Sequence, residues 1–68
     1  MKKQFVEGTF SAAISEGFGY IDHLEYYTTE YDEMVAIVCN NGHKYHVCVT
    51  ADSKQAIMQD VIKEASRH

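Results

Sequence analysis

The sequence predicts an α+β fold, a three-stranded antiparallel sheet with two helices packed on one face in the order αβββα. Three observations carry that expectation. Apolar residues recur every four positions near the start, an Asn-Asn-Gly triplet divides two apolar runs in the middle, and a second apolar stripe at helical spacing closes the chain. At 68 residues the chain has room for one domain, 1–68, near the size at which a single core barely suffices. Domains this small often lean on a metal, a disulfide or a second subunit.

The first helix is expected from about Lys3 to Glu16. Val6, Phe10, Ile14 and Phe18 fall on one face, and Gly17 offers a left-handed terminus. Gly8 weakens the helix by about 1 kcal/mol relative to alanine, so a short strand over 3–9 followed by a stub helix is the alternative. Residues 20–29 are aromatic and β-branched and read as the first strand. Residues 31–39, YDEMVAIVC, form the second, and 43–50, HKYHVCVT, return as the third after the turn at 40–42.

Turn length decides the register. A two-residue Asn41-Gly42 turn places Val35, Ile37, Cys39, His46 and Cys48 on the face away from the helices. A three-residue turn places Met34, Ala36, Val38, His46 and Cys48 there. Either set is unusually apolar for an open face, and exposed patches of that kind mark interfaces. Self-association is therefore expected through this face, with Val35, Ile37, His46 and Cys48 as the favoured residues, giving a homodimer. The last helix is capped by Asp52 or Ser53, with Gln55 in a capping-box relation to Asp52, and buries Ile57, Met58, Val61, Ile62 and Ala65.

Charge is unevenly spread. No lysine or arginine occurs between Lys3 and Lys44, while Glu7, Glu16, Asp22, Glu25, Glu30, Asp32 and Glu33 do, and the net charge is −4. Such a field draws basic partners and repels a phosphate backbone, so nucleic acid is not an expected partner. The segment EYYTTEYDE at 25–33 concentrates this character. Strand alternation cannot bury Tyr26 and Tyr27 together, so some tyrosine must face solvent among carboxylates. Tyrosine is enriched where proteins meet proteins, and carboxylates select an Arg- or Lys-rich surface. Glu25, Tyr27, Glu30, Tyr31, Asp32 and Glu33 are the residues expected to contact such a protein partner.

Motifs for catalysis or metal binding are weak. Cys39, His43, His46 and Cys48 are suitable zinc ligands by type, but His43 and His46 point to opposite faces and the cysteines stand several residues apart. No metal, cofactor or disulfide is expected, and no enzymatic activity. Asp22 and His23 are strand neighbours, expected to face opposite ways. GFG at 17–19 leaves a helix instead of entering one, unlike a phosphate loop. The amino end meets Glu7 before an apolar run develops, and no stretch approaches the roughly 20 apolar residues of a membrane span. A cytoplasmic protein with free thiols and no membrane partner is the expectation.

The αβββα order, with Ser53-Lys54-Gln55-Ala56 opening the last helix, resembles the double-stranded-RNA-binding domain, whose Ser-Lys-Lys-x-Ala segment holds phosphates. That resemblance implies a nucleic-acid binder, although Gln55, Ile57 and Met58 replace the small or basic residues of that pattern. The fold class also resembles small ribonuclease toxins of one bacterial toxin–antitoxin family, in which His23 alone could match the strand histidine. In size, charge and acidic tyrosine stretch, the chain is similar to small acidic inhibitors from phages and mobile elements, including anti-CRISPR proteins. That likeness implies an inhibitor of a basic, nucleic-acid-handling protein. A purely structural oligomer is the remaining alternative.

Overall fold

A computed structural model describes residues 2–49 and 53–68. The first helix, α1, is continuous through Lys2–Gln4, Phe5–Phe10 and Ser11–Gly17. Three antiparallel strands follow, β1 Ile21–Thr28, β2 Glu33–Cys39 and β3 Lys44–Cys48, in spatial order β1-β2-β3. The second helix, α2, spans Lys54–Ser66. The αβββα order and the α+β class are those the sequence predicts, and α1 leaves no strand over 3–9.

The middle of α1, Phe5–Phe10, is π-helical. Its wider turn brings residues five apart above one another, and the Phe5 and Phe10 rings stack with centroids 5.7 Å apart. Lys54 of α2 places its ammonium 5.2 Å from the centre of the Phe5 ring. Gly17 does not end the helix in a left-handed conformation. The chain leaves through an extended Phe18 (φ −120°), whose N–H still donates to Ile14 O at 2.8 Å.

The hairpin between β2 and β3 has a three-residue Asn40-Asn41-Gly42 turn, with Ile37 opposite Tyr45 and Val35 opposite Val47. Gly42 has φ +91°, which a side chain would strain. Cys39 N–H donates to His43 O, and Asn41 Oδ1 accepts from His43 N–H, closing the loop. This register turns Val35, Ile37 and Cys39 toward the helices, where they join Val6, Phe10, Ile14, Ile21, Leu24, Val47, Val49, Ile57, Val61 and Ala65 in one core. Val35 and Ile37 are fully buried, so the part expected of them in self-association does not hold. With an odd-numbered turn, the other set of β2 side chains faces outward.

Ser53 caps α2, its Oγ accepting from Ala56 N–H at 3.2 Å. Asp52, the other expected cap, lies outside the described residues. Ile57, Val61 and Ala65 are buried as expected, Met58 is half-buried and Ile62 is 41 % exposed. Met58 and Ile62 instead form one wall of an apolar groove of about 220 Å³, closed on the α1 side by Phe10, Ala13, Ile14, Gly17 and Phe18. The carboxyl end of α2 is held by the Tyr20 hydroxyl, which donates to Ala65 O at 2.6 Å, and by the His68 ring stacked 3.8 Å from that of Tyr45.

The two edges of the sheet are treated differently. Along β1 the outward N–H groups of Leu24 and Tyr26 donate to Ser11 Oγ (3.0 Å) and Glu7 Oε2 (2.8 Å), one helical turn apart on α1. Along β3, His43 and Val49 make the bonds to β2, so alternation turns the backbone of Lys44, His46 and Cys48 outward. Among the described residues those three backbone groups have no hydrogen-bond partner.

Candidate functional site

The face of the sheet away from the helices is a grid of three rows. His23, Val38 and Lys44 form the first, Glu25, Ala36 and His46 the second, and Tyr27, Met34 and Cys48 the third. It is not the apolar surface expected from sequence. The aliphatic residues lie on the central strand, flanked by His23, Glu25 and Tyr27 on one side and by Lys44, His46 and the shorter Cys48 on the other, and Ala36 keeps only 2 % of its surface.

A polar network runs over that central strip. His23 Nδ1 lies 2.7 Å from Asp22 Oδ2 and its Nε2 lies 3.0 Å from Glu25 Oε2. An imidazolium donates to both carboxylates at once, so the His23 pKa is raised, by Glu25 first and Asp22 second. Glu25 is lowered in turn, by His23 and by the Lys44 ammonium at 3.5 Å. Asp22 and His23 do not face opposite ways as strand neighbours should. An irregularity in pairing between Ile21 and His23 inserts one residue and brings the carboxylate to the ring. On the next row the Tyr27 hydroxyl shares a hydrogen bond with His46 Nδ1 at 2.7 Å, with the rings edge to face. The Cys48 thiol pKa is raised by desolvation first, then by the charge of Asp32.

The expected partner-binding residues divide into three places. Glu25 and Tyr27 sit within the grid. Glu30, Tyr31 and Asp32 form the β1–β2 hairpin end, where Thr29 N–H donates to Asp32 O (2.8 Å) and Asp32 N–H to Thr29 Oγ1 (3.0 Å). Glu30 and Tyr31 are left at the tip, and Tyr31 is 87 % exposed. Glu33 stands apart from the others. Its carboxylate accepts from Lys2 Nζ at 2.8 and 2.9 Å and from the Tyr26 hydroxyl, on the helix side of the sheet. The ammonium, then the phenol, hold Glu33 below the usual carboxylate range, and its hydrogen bond pushes Tyr26 up to about 12. Tyr26 is therefore tied to Glu33 on the helix side, while Tyr27 is half-buried on the open face and Tyr31 is exposed at the tip.

Of the two residues left from the expected self-association set, His46 and Cys48 are both exposed. Cys39 and Cys48 lie on opposite faces as free thiols, Cys39 buried and Cys48 exposed. Among the described residues no group of three His, Cys, Asp or Glu is disposed to hold a metal, and no helix is long and apolar enough to cross a membrane. Sequence reasoning missed the Asp22–His23–Glu25 bridge and the groove between the helices. For the groove a signal existed, since Ala13 and Gly17 are too small to fill the space opposite Met58 and Ile62. Comparison of the chain with protein-family models, with curated proteins and with solved structures finds no match.

Proposed function

We propose that the protein is a protein-interaction module that offers an acidic, tyrosine-bearing surface to a partner with a basic surface. The observation that carries this is the hairpin tip. Tyr31 stands almost fully exposed between Glu30 and Asp32, neither of which has a cationic partner among the described residues. An exposed aromatic costs solvation without adding to the core, and it gains on docking. Tyr27 extends this character inward along the open face, while Glu25, held by His23 and Lys44, and Glu33, held by Lys2, are already paired and contribute little. Carboxylates spaced along an exposed hairpin compete with phosphate for arginine and lysine. A partner that handles nucleic acid suits them.

The test is a photo-crosslinker at position 31, Tyr31→p-benzoylphenylalanine, used in host lysate with and without nuclease. One cross-linked protein, joined near Lys or Arg residues and lost on E30K/D32K, is the expected result. Capture indifferent to charge reversal would overturn the reading. Capture that disappears with nuclease would replace it with the nucleic-acid-binding alternative.

A further inference from the structure

The edge of the sheet at β3 and the helix above it form one surface. α2 runs antiparallel to β3, from Ser53 beyond the end of the strand to His68 stacked on Tyr45. Met58 and Ile62 face the groove toward α1. The opposite flank of α2 therefore looks out past β3, and at 100° per residue it carries Ala56, Asp60, Lys63 and Arg67. On this flank Asp60 is half-buried, and Lys63 and Arg67 are exposed.

This surface is complementary to itself under a two-fold rotation. Aligned antiparallel across an axis at His46, two β3 strands place His46 opposite its own copy and Lys44 opposite Cys48. On the core side Tyr45 meets Val47 twice, an aromatic–β-branched pairing, and no acid of either strand meets another. Above the strands, two antiparallel α2 flanks bring Asp60 beside Lys63 in both directions, with the small Ala56 facing Arg67. Neither Asp60 nor Lys63 has an ion-pair partner within the described residues. The spacing also closes. Adjacent strands stand about 4.8 Å apart, so helices centred between β2 and β3 in each copy would lie roughly 10 Å from one another, within packing distance.

We propose that two copies of this chain associate edge to edge through β3, forming a continuous six-stranded sheet with Asp60–Lys63 ion pairs between the two α2 helices. The occupant of the edge is a second copy and not a foreign strand, because the helix flank above it complements its own rotated image. This places self-association on the edge and leaves the open face and hairpin tip free.

Sedimentation velocity over a concentration series, with amide exchange read by NMR, tests it on the protein alone. Dimers should appear as concentration rises, with protection gained at the Lys44, His46 and Cys48 amides. His46→Pro removes an outward N–H that β2 does not use. By symmetry it deletes two hydrogen bonds and should weaken the dimer about thirtyfold. His46→Ala keeps the N–H and should dimerise as wild type does. D60K and K63D should each weaken association, and the D60K/K63D double variant should restore it, independently of any change at the strand. A monomer at every concentration, or association untouched by His46→Pro and by both single charge reversals, would overturn the proposal.

Discussion

Ser11→Ala isolates the device that closes the β1 edge. Ser11 keeps 6 % of its surface and Leu24 1 %, and the Leu24 N–H donates to Ser11 Oγ at 3.0 Å. Alanine leaves that N–H buried without an acceptor, at a cost of about 1–3 kcal/mol. The same change improves helix propensity by about 0.5 kcal/mol, so a net loss of about 0.5–2.5 kcal/mol is expected. For a domain whose total stability is roughly 3–10 kcal/mol this is a large fraction. In urea, with a slope near 1 kcal/mol/M for a chain this small, the midpoint should fall by about 0.5–2.5 M with the slope unchanged. Circular dichroism measures the shift, and the Leu24 amide should exchange faster than its neighbours. Glu7→Gln, which keeps an acceptor for the more exposed Tyr26 N–H, should stay within about 0.5 kcal/mol of wild type. If Ser11→Ala were as stable as wild type and Leu24 stayed protected, edge capping by this hydroxyl would be refuted.

The His23 imidazole should titrate above its ordinary value in an NMR pH series, and Glu25→Gln should bring it down. Because the folded pKa is raised, the stabilisation is complete below the unfolded value near 6.5 and is lost as pH rises through the folded value. The effect on stability should be small, since the ring is 42 % exposed. One thiol per native chain, Cys48, should react with an aromatic disulfide reagent, slowly at neutral pH and faster above it, and two should react in urea. Ile57→Ala should cost about 2–5 kcal/mol by thermal or urea unfolding, while Ile62→Ser should cost under about 1 kcal/mol. Equal losses at the two positions would contradict the assignment of Ile62 to the groove wall.

The parts of the fold legible in the sequence were those with a period or a turn chemistry. Val6, Phe10 and Ile14 marked α1, Ile57, Val61 and Ala65 marked α2, and Asn-Asn-Gly marked the hairpin between β2 and β3. What stayed hidden depended on counting single residues. Two- and three-residue turns fit the same triplet, and the choice between them moved Val35 and Ile37 from the open face into the core. The bulge that joins Asp22 to His23 is one extra residue with no glycine or proline to announce it. For the site, the exposed Tyr31 and its acidic neighbours were readable from alternation and charge. The pairing of Glu33 with Lys2, 31 positions away, was not, because nothing local to either residue encodes the partner.

The unequal edges of the sheet also set how far any strand addition can run. A sheet open on both sides is divalent, and each added copy exposes a fresh edge for the next, which is the geometry of fibre growth. Here Ser11 and Glu7 occupy the Leu24 and Tyr26 donors in the middle of β1, which leaves β3 as the more open edge. Growth from β3 would meet an edge blocked at its middle on the far side of the first copy it recruits. Two hydrogen bonds on one side of α1 thus work against chain growth, allowing a strongly apolar β2 to sit in a small sheet without inviting polymerisation.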